Sequence, residues 1–137
     1  MTEITKHQIS DTKKAPITKL PVIKRRFDLE ERAVMFAKRV ICLCKSLEYN
    51  VMNQELVSQL VRASGSVGAN YREANDALSK KDFAHRIKIA RREAKEAHYW
   101  LQLVAAANDR LSMDVGSVEQ EALELKRILS AIAEQFP

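Results

Sequence analysis

A row of basic side chains runs through residues 81–99 at spacings that place it on one face of a helix. Its members recur every three or four residues, and they are Lys81, His85, Lys88, Arg92, Lys95 and Tyr99. We call this row the basic stripe. Side chains at this spacing lie about 5–6 Å apart, so the cations can follow successive phosphates of a nucleic acid. Tyr99, at the end of the row, could stack on a base.

The surrounding charge supports an anionic partner without identifying it. Residues 80–96 hold seven Lys or Arg and three acidic residues, with Arg91 beside Arg92, whereas residues 108–137 hold three basic and six acidic residues. The formal net charge is +5, which suits nucleic acid. An ordinary solvated face and a surface for an acidic protein stay open. A membrane surface is disfavoured because the outward stripe lacks large apolar residues that insert.

Small residues interrupt the second predicted helix, in the stretch SGSVGANYREAND at residues 64–76. Gly65 and Gly68 each cost a helix roughly 1 kcal/mol relative to Ala. We therefore expect the small side chains here to allow another helix to approach closely, or to allow this helix to bend.

A polar pair follows directly. Asn70 falls at or beside the buried seam and Glu73 lies at i+3, so the two can meet on one face. Arg86 or Lys88 of the next helix could pair with Glu73. We interpret Asn70 and Glu73 as a structural pair that fixes helix register, since a buried Asn can do so. A direct binding role is the alternative.

The remaining titratable residues form no catalytic or metal-binding pattern, so we predict no enzyme, no metal and no cofactor. Cys42 and Cys44 point about 200° apart on a helix and cannot bridge each other. Reduced thiols are typical of a cytosolic protein. No apolar run approaches the roughly 20 residues of a membrane span, and no signal-peptide core is visible. These features predict a soluble, cytoplasmic protein.

Four amphipathic segments must position these residues. Apolar side chains recur at helical spacing within residues 29–47, 56–74, 83–104 and 118–136. In the second segment, the apolar seam position between Val67 and Ala74 is occupied by Asn70 or Tyr71. Four such seams with mostly short connections predict an all-α fold, an antiparallel up-down four-helix bundle over residues 28–136.

The ends of the segments carry their own signals. The predicted helix caps are Asp28, Asn50 or Asn53, Ser79 and Ser117, with Gly116 in the loop before the last helix. Residues 1–27 hold seven Lys or Arg, two acidic residues and two prolines. They predict a flexible basic arm, in which Arg25 and Arg26 could assist the stripe.

Further apolar residues lie outside the four seams. They are Val34, Ala37 and Ile41 on the first helix and Ile89, Trp100 and Leu103 on the third. One small bundle would leave part of this surface in water, so we predict an oligomer interface. An irregular core that absorbs them is the alternative.

The run SVGANYREANDALSKKDFAHRIKIARREAKEAHYWLQLV, residues 66–104, resembles bacterial four-helix bundle proteins encoded in intervening sequences of large-subunit ribosomal RNA genes. The matching positions are Ser66-Val67, Asn70, Glu73-Ala74, Lys81-Asp82-Phe83, Lys88-Ile89-Ala90, Glu93-Ala94 and Trp100-Leu101. The resemblance spans residues 28–136 and implies an up-down bundle that assembles as a homo-oligomeric ring, with a pentamer favoured. The family motif also gives weight to Asn70 and Glu73.

The chain is more distantly similar to the accessory bundle protein of diversity-generating retroelements, which binds nucleic acid and a reverse transcriptase. These resemblances imply suspected nucleic-acid binding and no attached enzymatic activity. Our leading hypothesis is a non-enzymatic oligomer that binds nucleic acid, structured RNA over DNA, through its basic outer face. The alternative is a scaffold that docks an acidic or polymerase-like protein.

Overall fold

Four α-helices and one short 3-10 helix form the part of the chain that the structure describes. The computed structural model describes residues 22–137, with the side chains of residues 28–111 and 113–137. The helices are α1 (Val22–Lys45), α2 (Val51–Asn75), α3 (Lys80–Ala107) and α4 (Ser112–Ala133), with the 3-10 turn Asp109–Leu111 before α4. No strand occurs within residues 22–137. The predicted all-α class with four helices is confirmed.

Side-chain contacts show how α1, α2 and α3 pair. Glu30, in the first half of α1, lies 3.5 Å from Arg72 and accepts a hydrogen bond from Asn75, both at the end of α2. Asn53, near the start of α2, exchanges two side-chain hydrogen bonds with Asn108, which follows α3. Asn53 is buried, so this reciprocal amide pair satisfies polar groups that water does not reach.

Two further contacts join α4 to its neighbours. The Phe83 ring near the start of α3 packs on Phe136 beyond the end of α4, with centroids 5.2 Å apart. Arg32 of α1 donates two hydrogen bonds to the Glu121 carboxylate of α4, at 2.7 and 2.9 Å. The bond to Glu121 raises the pKa of the Arg32 guanidinium, so Arg32 stays charged in this contact between α1 and α4.

The core consists of the seams expected from the apolar spacing. Among the fully buried side chains are Phe36, Leu60, Ile87, Leu101 and Leu125, with at least one from each helix. At the position left open on α2, Tyr71 is buried and Asn70 lies at the edge. Asn50 caps α2 and Ser79 caps α3, each accepting from the backbone N–H three residues on. These caps are as the sequence predicts.

Two predicted helix starts are wrong. Helix α1 begins at Val22, six residues before the predicted cap at Asp28. Residues 22–28 hold no Gly or Pro, so no helix-breaking residue separates Val22 from Asp28. This start also moves Arg25 and Arg26 from the predicted arm into the first turns of α1. The predicted flexibility of residues 1–21 lies outside the described residues.

Helix α4 begins at Ser112, so Gly116 lies inside a helix and Ser117 is not its cap. Val115 is completely buried, and its burial continues the seam of Val118 by one turn towards the N-terminus. A Cβ on Gly116 would meet nothing within 4 Å, so this glycine is exposed and the helix tolerates it. Ser117 instead accepts a hydrogen bond from Arg39 of α1 at 2.7 Å.

The two glycines of α2 differ in their surroundings. A Cβ on Gly68 would lie 3.2 Å from the Cβ of Ala33 on α1, so α1 and α2 approach closely at this point. A Cβ on Gly65 would meet nothing within 4 Å. Of these two glycines, only Gly68 lies at the expected close approach of another helix.

Candidate nucleic-acid interface

Helix α3 holds the whole basic stripe on its outer side. Its buried residues are Ile87, Ala90, Glu93, Ala94, Ala97, Leu101 and Val104. All six side chains of the stripe, from Lys81 to Tyr99, are exposed. Arg91 is half-buried beside them. The sequence correctly predicts which face of α3 meets solvent, because the apolar seam and the stripe lie about 160° apart around one helix.

The lysines of the stripe have no acidic partner in the described part of the chain. No acidic group there lies within 4 Å of the ammonium groups of Lys81, Lys88 or Lys95. Arg92 lies 3.9 Å from Glu93, at the limit of an ion pair. The charge of the stripe is therefore largely uncompensated and open to solvent, as a surface that contacts phosphates requires.

A shallow hollow lies at the start of the stripe and was not expected from the sequence. It is lined by Lys80, Lys81, Ala84, His85, Lys88, Phe136 and Pro137. Phe136 reaches it because the chain beyond α4 folds back onto Phe83. Only the pairing of α3 with α4 brings these residues together, so spacing along the chain gives no signal for them.

The Asn70 amide connects α2 to α3. Its Nδ2 donates to the Ser66 carbonyl oxygen at 2.9 Å, and its Oδ1 accepts from Arg86 Nη1 at 3.3 Å. Glu73 is exposed and forms no ion pair with any described residue. Of the two basic residues considered as partners of Glu73, Arg86 therefore contacts Asn70 and forms no ion pair with Glu73.

Asn70 and Glu73 are expected to differ in their contribution to stability. Asn70→Ala should lower the free energy of unfolding by about 1 kcal/mol, because it removes two hydrogen bonds and leaves Arg86 without its partner. Glu73→Ala should change it by less than about 0.5 kcal/mol. Urea unfolding of each variant at one protein concentration measures both. Equal losses of stability in the two variants would contradict the assignment of the structural role to Asn70 alone.

The residues predicted for an oligomer interface keep part of their apolar surface. Ile41 is 45% exposed, and Val34, Ala37, Ile89, Trp100 and Leu103 are half-buried. They form two groups, one on α1 and one on α3. An oligomer interface at these groups stays a prediction.

The two cysteines differ in their surroundings, and the described acidic groups form no metal cluster. Cys42 and Cys44 are both free thiols, the first exposed and the second half-buried. Burial raises the pKa of the Cys44 thiol to about 11, so this group is a protonated, weakly nucleophilic thiol at neutral pH. Within the described residues no three His, Cys, Asp or Glu side chains are arranged to hold a metal ion. The described helices also include none with the length and apolarity that a membrane span needs.

The described residues thus define an all-α protein of four helices with a basic outer face on α3. The chain belongs to the 23S rRNA-intervening sequence protein family, which matches residues 25–131. This match confirms the resemblance and begins three residues earlier than the sequence comparison above, inside α1. No curated protein gives a significant match.

A solved structure supports the fold. The chain is similar to a protein of unknown function from the S23 ribosomal protein family of Bacteroides thetaiotaomicron, whose crystal structure was determined at 1.70 Å resolution. The two are 29% identical with a TM-score of 0.68, and the match covers 77% of this chain and 97% of the other. The similarity covers nearly the whole of that protein.

Proposed function

We propose that this protein is a non-enzymatic RNA-binding protein that contacts phosphates through the basic stripe of α3. The observation that carries the proposal is the row of exposed, largely uncompensated cations from Lys81 to Lys95 on a continuous helix. Four of its members are Lys or Arg, and Lys80 and Arg91 lie beside them. Structured RNA is favoured over a DNA sequence, since no element within residues 22–137 is arranged to read base edges.

The proposal includes an up-down bundle in which neighbouring helices run antiparallel. The contacts of Asn53 with Asn108 and of Phe83 with Phe136 support it, because each joins the start of one helix to the end of the next. It also includes a homo-oligomeric ring, with a pentamer favoured. The half-exposed apolar groups around Ile41 and Trp100 support association. A ring would repeat the stripe, and repetition multiplies weak contacts.

Salt dependence tests the phosphate contacts directly. We expect purified, nuclease-treated protein to bind a labelled RNA hairpin, with affinity that falls about a thousandfold or more between about 50 and about 200 mM salt if six or more phosphates are contacted. Fluorescence anisotropy measures this. Absence of binding at the lower salt concentration would overturn the proposal and favour docking of an acidic or polymerase-like protein on the same face.

The cytoplasmic location stays a prediction from the sequence.

A further inference from the structure

Two aromatic rings lie together at the far end of the basic stripe. Tyr99 and Trp100 have ring centroids 5.1 Å apart and meet edge to face at 73°. Tyr99 is 53% exposed, although it is a large aromatic side chain. Trp100 is half-buried beside it and is the only tryptophan of the chain.

The Trp100 ring is held in place by polar contacts. Its Nε1 donates to the Glu96 carboxylate at 3.3 Å, and the same carboxylate forms an ion pair with Arg62 of α2. Arg62 also lies 3.4 Å from Glu93, which is buried. These contacts connect Trp100 to α2 through Glu96 and Arg62, and Trp100 in turn packs against the Tyr99 ring.

The aromatic pair continues the line of cations. Tyr99 lies one helical turn after Lys95, a rise of about 6 Å along α3. A nucleic-acid strand that follows the stripe with its phosphates would therefore bring its next base to the exposed part of the Tyr99 ring. An unpaired base can stack there because its face is free, whereas a base inside a duplex is already stacked on its neighbours.

We propose that Tyr99, supported by Trp100, is a stacking site for an unpaired nucleobase, and that the preferred ligand is RNA with a single-stranded segment next to a helical one. This inference rests on the proposed function, since the stripe must first bind phosphates. A stacking site would let the protein distinguish two RNAs of equal charge, which phosphate contacts alone do not do.

The test compares three labelled RNAs with the same number of phosphates: a blunt duplex without a loop, and two shorter duplexes with a single-stranded extension of about four nucleotides at the 5′ or the 3′ end. The intact, full-length protein should bind the better of the extended duplexes more tightly than the blunt one. Tyr99→Ala should weaken binding of that extended duplex roughly fivefold to 150-fold, the range for loss of one base–aromatic stack. The same variant should lose much less affinity for the blunt duplex, and Tyr99→Phe should keep the preference.

Two controls make the result specific. Tyr49→Ala removes another exposed tyrosine, 87% exposed in the loop between α1 and α2, and should leave both affinities unchanged. The emission of Trp100, the sole tryptophan, should change when the extended duplex binds and not when the blunt one does.

The outcomes separate this inference from the proposed function. If Tyr99→Ala binds the extended and the blunt duplexes as the unchanged protein does, with the same salt dependence, the stacking site is wrong and the phosphate-binding stripe stands. If Trp100 emission stays constant with every RNA that binds, the stacking site is also wrong. If no RNA binds at low salt, both the stacking site and the proposed function fail.

Discussion

The double reversal Lys88→Glu, Arg92→Glu is expected to weaken RNA binding by about a hundredfold or more while the helices remain intact. Both side chains are exposed on the outer face of α3 and pack against nothing in the core. Each reversal removes one phosphate contact and adds a charge that repels the ligand. The slope of log affinity against log salt should also fall by about 2, one for each lost contact.

A matched control uses arginines elsewhere on the surface. Arg110→Glu, Arg127→Glu reverses the same number of charges on exposed positions outside α3 and outside the predicted oligomer interface, so it changes the net charge of the protein equally. This control should lower RNA affinity much less, because general electrostatic attraction falls while the stripe is kept. Circular dichroism checks that both variants retain their helices. Equal losses in the two variants would mean that net charge, and not the stripe, determines binding.

The position of the charge along the chain makes this comparison informative. Residues 28–137 hold sixteen basic and sixteen acidic residues, and the excess of +5 comes from residues 1–27. The bundle region is therefore neutral as a whole but divided, with the positive excess on α3 and the negative excess after residue 108. Such a division would orient an anionic ligand towards α3, as the proposed function requires.

The elements that the sequence predicts well are those that a repeated pattern specifies. The seam of α3 places Ile87, Ala94 and Leu101 in the core and leaves the stripe outside, because many apolar residues at helical spacing all indicate the same buried face. The starts of α1 and α4 depend on short signals. Asp28 and Ser117 both match a capping pattern, yet neither begins a helix. Helix α1 runs continuously through Asp28, and the burial of Val115 favours an earlier start of α4.

The parts of the candidate site that spacing could not predict depend on the relative position of two helices. The contact of Arg86 with Asn70, and that of Glu96 with Arg62, join residues far apart in the chain. Their pairing requires the register of α2 against α3, which the buried Asn53–Asn108 pair and the apolar core determine together. Sequence spacing identified the separate faces, but not which side chains meet between them.

Phe36→Ala is expected to be the most damaging single substitution in the core, with a loss of about 3–5 kcal/mol in the free energy of unfolding. Phe36 is completely buried and is the largest fully buried side chain among the described residues. It lies on α1 within a core rich in alanine, including Ala63, Ala90 and Ala97. Small neighbours cannot extend into the space that the ring leaves, so a cavity remains and its cost adds to the lost transfer free energy.

Met35→Ala is the control, since Met35 is the preceding residue on the same helix and is 54% exposed. It should change the stability by less than about 0.5 kcal/mol. Guanidinium unfolding at one fixed protein concentration measures both variants, because association would make the apparent stability depend on concentration. A loss of 3–5 kcal/mol is a large part of the roughly 5–15 kcal/mol that stabilises a domain, so Phe36→Ala should be partly unfolded at physiological temperature. Similar losses in both variants would mean that the Met35 face of α1 is also buried in solution, as it would be inside an oligomer interface.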